Sequence, residues 1–147
     1  MFRSLMILLC AAACEPKEVI PDRTDTDSST GSECGAPVNG LTLTFVGVVQ
    51  DSAGKAVKNA TLALEDRSIP PADELGTAKS AADGTFTLVA SEITDLPGCW
   101  LTALDYTLVV EATAGSVERF VNREMYTALH DGVDTVDLTS RPLVIEP

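Results

Sequence analysis

Between Leu41 and Ile145 the chain alternates apolar and polar residues with a period of two, the pattern of strands that bury one face of a sheet. In Leu41–Val49, residues Leu41, Leu43, Phe45 and Val49 share a face. Asp51-Ser52-Ala53-Gly54 reads as a turn, because Gly54 tolerates positive φ. Ala60–Leu64 alternates again, whereas Arg67–Glu74, with Pro70-Pro71, reads as a loop in which a helix could hardly start or continue. Asp83-Gly84 is a hairpin cue, followed by Thr85–Val89 with Phe86 and Leu88 inward. Tyr106–Glu111, a turn at Gly115 into Val117–Val121, then Val133–Leu138 and Leu143–Ile145 complete the series. With no convincing amphipathic helix, these short strands predict an all-β fold, an immunoglobulin-like sandwich of about seven strands.

The period is absent at the N-terminus. Leu5–Ala13 is an unbroken apolar run behind a single cation, Arg3, and ahead of the polar stretch Glu15-Pro16-Lys17-Glu18. Nine residues make about 14 Å of helix, too short for a hydrocarbon core of about 30 Å, so the run predicts a secretory signal rather than a membrane span. Ala11-Ala12-Ala13-Cys14 resembles the lipobox of bacterial lipoproteins. That resemblance implies cleavage before Cys14, a diacylglyceryl group on its sulfur, and attachment to a bacterial envelope membrane, with the outer membrane favoured. Ala11 departs from the usual leucine, and Cys10 fits less well because Leu8 and Leu9 precede it. The alternative is an ordinary signal cut after Ala13 that leaves Cys14 a free thiol. The expected organisation is a signal peptide over 1–13, an acidic tether over 14–33 and a sandwich domain over 34–147.

Glu15–Glu33 holds two prolines, a Thr/Asp/Ser cluster and only Val19 and Ile20 as large apolar residues, too little to offset the entropy of ordering. Its Asp22, Asp25 and Asp27 are not an EF-hand. A loop starting at Asp25 needs glycine at position six and glutamate at position twelve, where Thr30 and Ala36 stand.

Within the domain, Gly47–Leu64 resembles the opening of carboxypeptidase regulatory-like domains, and Ser80-Ala81-Ala82-Asp83-Gly84-Thr85-Phe86 is similar to a later part of their pattern. The resemblance spans about 41–112 and implies a transthyretin-like sandwich, usually a non-catalytic accessory. It weakens at Ser116, where an aromatic residue is usual.

Charge and chemistry narrow the function. The whole chain carries 22 acidic and 10 basic residues, net −12, which argues against nucleic acid as the partner. With Cys10 lost with the signal and Cys14 acylated, Cys34 and Cys99 remain, and export favours a disulfide between them over two buried thiols. Two thiolates and one histidine fall short of a four-ligand metal site, and no cofactor is expected. Trp100 admits two roles, core packing over the bridge or a ligand platform that stacks on a sugar ring.

Motif matches elsewhere fail on context. Ser52-Ala53-Gly54-Lys55 fits S-x-x-K but sits in a turn between strands. His130-Asp131 lacks an activated serine, and Asn59-Ala60-Thr61 is a sequon that a bacterial lipoprotein would leave bare. Two functions follow as expectations. The favoured one is a non-catalytic, membrane-anchored lipoprotein whose sandwich is a binding or structural accessory, with an envelope protein or glycan as partner. The alternative is a carbohydrate-binding module or small glycan-active enzyme, with Asp95, Asp105 and Glu111 as candidate acid and base.

Overall fold

The computed structural model describes residues 34–146. The signal segment, Cys14 and the tether lie outside the described residues. The alternating stretch at Leu41–Val49 is the centre of a 14-residue strand, β1 (Val38–Asp51), with Leu43, Phe45 and Val49 fully buried. On one side β1 pairs antiparallel with β4 (Thr85–Asp95). It also pairs parallel with two short strands in succession, β7 (Thr135–Asp137) and β8 (Leu143–Ile145). The second sheet is fully antiparallel, in the order β3 (Asp73–Lys79), β2 (Thr61–Asp66), β5 (Tyr106–Ala112), β6 (Gly115–Phe120). Two four-stranded sheets thus form a β-sandwich.

Register explains the core. Phe45 lies opposite Leu88 on β4 and Val136 on β7, while Leu62 and Leu64 lie opposite Val110 and Leu108 on β5. All of these side chains are buried, and each apolar one removed from water contributes about 1.5–3 kcal/mol. The period of two sends their neighbours outward, which is why Thr85, Thr87 and Val89 are exposed.

The sandwich nearly closes at both edges. Ser116 and Glu146 exchange backbone hydrogen bonds, joining β6 to the end of the β8 segment. At the other edge β3 lies against β4, and a Cβ at Gly76 would run into the Val89 carbonyl. Only glycine permits that approach. Two bulges bend the β1–β4 pair, one carrying Gly40 on β1 and one carrying Glu92 on β4, both at positive φ.

Two readings of the sequence are corrected. The loop expected over Arg67–Glu74 ends earlier, because β3 begins at Asp73. Its residues are exposed or half-buried, so no apolar alternation marks them. The chain is also not free of helix: α1 (Asn122–His130) follows Val121 directly. Val121, Met125 and Ala128 are buried at helical spacing, but a nine-residue helix offers too short a window for that period to stand out. Its end is a Schellman motif. Val133 N–H donates to the Ala128 carbonyl, Gly132 N–H to that of Leu129, and Gly132 takes φ 72.

Candidate functional site

The loop 96–105 joins β4 to β5 and carries no strand or helix, yet it is tied from several directions. Cys99 is disulfide-bonded to Cys34, with their Cα atoms 5.4 Å apart. Gly35 N–H donates to the Pro97 carbonyl at 2.7 Å beside that bridge. Within the loop, the Cys99 carbonyl accepts from the N–H groups of Thr102 and Ala103, folding 99–103 into a tight turn. Ser68 Oγ accepts from Asp105 N–H where the loop ends.

Asn122 holds the loop from beneath. It opens α1 and is fully buried, so its amide must find partners within the protein. Its Oδ1 accepts from Tyr106 N–H at 2.8 Å, and its Nδ2 donates to the Trp100 and Leu104 carbonyls. A single side chain thereby joins helix, strand and loop.

Of its two candidate roles, the structure places Trp100 in core packing. The residue is 3% exposed, and its ring meets Tyr106 at 5.8 Å and Tyr126 at 6.0 Å between centroids. Its Nε1–H donates to Asp95 Oδ1 at 2.8 Å. At 3% exposure the indole offers almost no surface for a sugar to stack on. Tyr106 is buried as well, its hydroxyl accepting from Thr94 N–H and donating to the Thr94 carbonyl. Burial is the main reason that its phenol is pushed above the ordinary value.

Asp95 Oδ1 also faces His130 Nε2 at 3.4 Å, and the His130 ring lies 4.2 Å from that of Tyr126. The sequence pair His130-Asp131 is therefore not the spatial pair; the carboxylate that His130 meets comes from the end of β4. The other proposed acids are dispersed. Asp105 Oδ1 accepts from Thr107 Oγ1, and Glu111 is exposed on β5. Among the described residues, no hydrogen bond or ion pair joins any two of Asp95, Asp105 and Glu111. Ser52 and Lys55 belong to a turn built on Asp51, whose Oδ1 accepts from Ala53 and Lys55 N–H. Among the described residues, no group of three or more His, Cys, Asp or Glu side chains is placed to hold a metal.

Outside this cluster lie two clefts that share Arg123 and Thr127 of α1. One, of about 690 Å³, runs between the helix and the loop and is lined by Gly98, Trp100, Leu101 and Thr102 of the loop and by Arg123, Tyr126 and Thr127 of the helix. Leu101 is 67% exposed and Tyr126 41%, so both present apolar surface to solvent. The other, of about 490 Å³, lies along α1 and β7 and includes Glu124, Asp131, Asp137 and Arg141. Glu124 there bridges Arg119 and Arg141 at 2.9 and 2.8 Å. Burial alone would raise its carboxyl, but hydrogen bonding from Arg119 and the two guanidinium charges hold it below the ordinary value.

Sequence reasoning placed Cys99 and Trp100 in this region but missed Asn122 and Tyr126. The available signal was Gly132 just beyond Val121, Met125 and Ala128, a glycine following a short run of helical period.

The fold and these features define a β-sandwich domain with a disulfide-pinned loop packed against a short helix. No protein-family model matches the chain, and no curated protein matches it. Among solved structures, a 9R-lipoxygenase from Cyanothece PCC8801 is similar over 71% of this chain and 16% of that chain, with 18% identity and a TM-score of 0.43. The likeness is distant and concerns a β-sheet domain. This chain spans only a small part of the lipoxygenase.

Proposed function

We propose that this protein is a lipoprotein of the bacterial cell envelope, anchored through Cys14, whose sandwich is a non-catalytic binding accessory. The observation that carries the reading is the run Leu5–Ala13 ending in Ala11-Ala12-Ala13-Cys14 and followed at once by polar chain. The bond between Cys34 and Cys99 supports it, since structural disulfides belong to exported proteins. The finer family reading, a carboxypeptidase regulatory-like domain, rests on Gly47–Leu64 and on Asp83-Gly84 leading into Phe86. Under it the partner is an envelope protein or glycan; membrane attachment rests on the lipobox instead, with the outer membrane favoured.

The accessory role also draws support from how the carboxylates are used. Asp51, Asp95 and Asp105 accept hydrogen bonds that hold turns and a core tryptophan, which are structural tasks. The test is metabolic labelling with palmitate followed by membrane fractionation. Label should enter the wild-type protein and be lost in Cys14→Ala, with that variant released to the soluble fraction. Label that persists in Cys14→Ala would defeat the anchor.

A further inference from the structure

The groove between loop 96–105 and α1 differs in charge from the rest of the domain. Residues 34–147 contain sixteen acidic and seven basic residues, yet the groove is lined by one guanidinium and no carboxylate. The adjoining cleft has Glu124, Asp131 and Asp137 in its walls. Arg141 and Arg119 are engaged by Glu124, and Arg67 by Glu65 and Glu118. Among the described residues, the Arg123 guanidinium has no ion pair or hydrogen bond. Lys55, Lys58 and Lys79 are likewise outside the ion pairs, but none of them lines either cleft. An anion repelled over most of this surface therefore meets an unengaged cation in a concave setting at Arg123.

The remaining lining narrows the ligand. Tyr126 is partly exposed and sits three residues beyond Arg123, on the same side of the helix. Leu101 supplies an exposed apolar wall, and Thr102 and Thr127 supply hydroxyl oxygens that donate to the Cys99 and Arg123 carbonyls and can accept from a ligand hydroxyl. Tyr126 packs against His130 at 4.2 Å and Trp100 at 6.0 Å between centroids, so it is its remaining exposed ring surface that joins the apolar wall, the hydroxyls and one guanidinium. Together these match a molecule with a C–H face, several hydroxyls and a carboxylate. Peptides are instead commonly captured along a free strand edge or as a helix in a long apolar groove. This groove is formed by a loop and a helix.

We propose that the groove bounded by Leu101, Arg123 and Tyr126 binds a carboxylate-bearing saccharide, with the sugar ring on Tyr126 and the carboxylate on Arg123. The proposal deepens the accessory-binding reading and moves the stacking role from the enclosed Trp100 to Tyr126. A bidentate carboxylate on Arg123 forms charge-assisted hydrogen bonds, whose loss weakens binding about ten-fold or more.

The test uses the full oxidised chain in detergent, titrated with a β-1,4-linked glucuronic acid trisaccharide and with its uncharged glucose counterpart, and followed by amide NMR shifts and calorimetry. The acidic sugar should bind saturably, with shifts centred on Leu101, Arg123 and Tyr126, and at least about ten-fold more tightly than the neutral one. Arg123→Gln should remove the preference. Leu101→Glu, at an exposed position, should abolish acidic-sugar binding without unfolding the domain. Equal affinity for the two sugars, no saturable shift, or an unchanged preference in Arg123→Gln would overturn the proposal. So would tighter binding of triglutamate than of the acidic sugar. Because binding is read in detergent solution, these outcomes are independent of palmitate labelling, and either reading can fail without the other.

Discussion

Replacing Asn122 by aspartate changes one NH₂ to an oxygen and almost nothing in volume, which isolates the role of its two donors. In the native domain Nδ2 satisfies the Trp100 carbonyl in a buried setting and the Leu104 carbonyl in a partly buried one. Aspartate retains the acceptor for Tyr106 N–H but turns a carboxylate toward both carbonyls. The buried Trp100 carbonyl loses its partner and faces a like partial charge, a cost of about 3 kcal/mol. The Leu104 carbonyl can recover a water, so its lost bond costs about 1 kcal/mol. Asn122→Asp should therefore lose roughly 4 kcal/mol at pH 7, a large share of the 5–15 kcal/mol typical of a domain.

The same substitution carries a pH signature of known sign. Burial and the two carbonyls raise the new carboxyl's folded value above its unfolded one, so the folded state binds the extra proton first. Stability of the variant should be greatest below the unfolded value near 4, where the neutral acid can donate to one carbonyl, and should be lost as pH rises from there through the raised folded value. Urea unfolding of the full oxidised protein at several pH values, with wild type in parallel, measures both effects. A loss below about 1 kcal/mol, with no difference in pH slope from wild type, would refute the clamp assigned to Asn122.

Three further outcomes are expected. Gly132→Ala should cost about 1 kcal/mol by chemical denaturation, from backbone strain at φ 72 alone, because a Cβ there meets nothing within 4 Å. Cys99→Ser should lower stability by about 3–4 kcal/mol and raise hydrogen exchange chiefly in loop 96–105, since the bridge closes a loop of 65 residues in sequence separation. Glu124, whose carboxyl is held below 4.5 when folded, should contribute stability that is present above that value and lost as pH falls below it. An acid titration of Glu124→Gln should show a shallower loss than wild type over that range.

How legible the fold was depends on where each segment buries its side chains. β1, β4 and β5 were readable because they bury alternate residues against the opposite sheet, so Leu43, Phe45, Phe86, Leu88, Leu108 and Val110 write the period into the sequence. β3 escaped because it is a half-buried edge strand whose key feature is an absence, the missing side chain at Gly76 that lets it approach β4. α1 escaped because it buries only Asn122, Met125 and Ala128, and the first of these is polar. Bridging Cys34 and Cys99 required only a count and a compartment, and the structure joins them. Asn122 was beyond any such rule. A buried asparagine has no periodic or compositional mark, and its value lies in three backbone groups that converge only in the folded chain.

That convergence bears on the groove. Loop 96–105 carries one wall of it, and loops without regular structure are ordinarily the most mobile part of a domain. Here the bond to Cys34, the Trp100–Asp95 hydrogen bond and the Asn122 clamp fix the loop at three points within six residues, Cys99 to Leu104. Under the proposed binding role, ordering that a ligand would otherwise impose is already in place. The coupling has a direction that can be checked. If the loop is ordered for binding rather than for stability alone, Cys99→Ser should weaken acidic-sugar binding even below its unfolding transition, although Cys99 does not line the groove. Unchanged affinity in that variant would mean that the three ties serve the fold and that the groove tolerates a mobile wall.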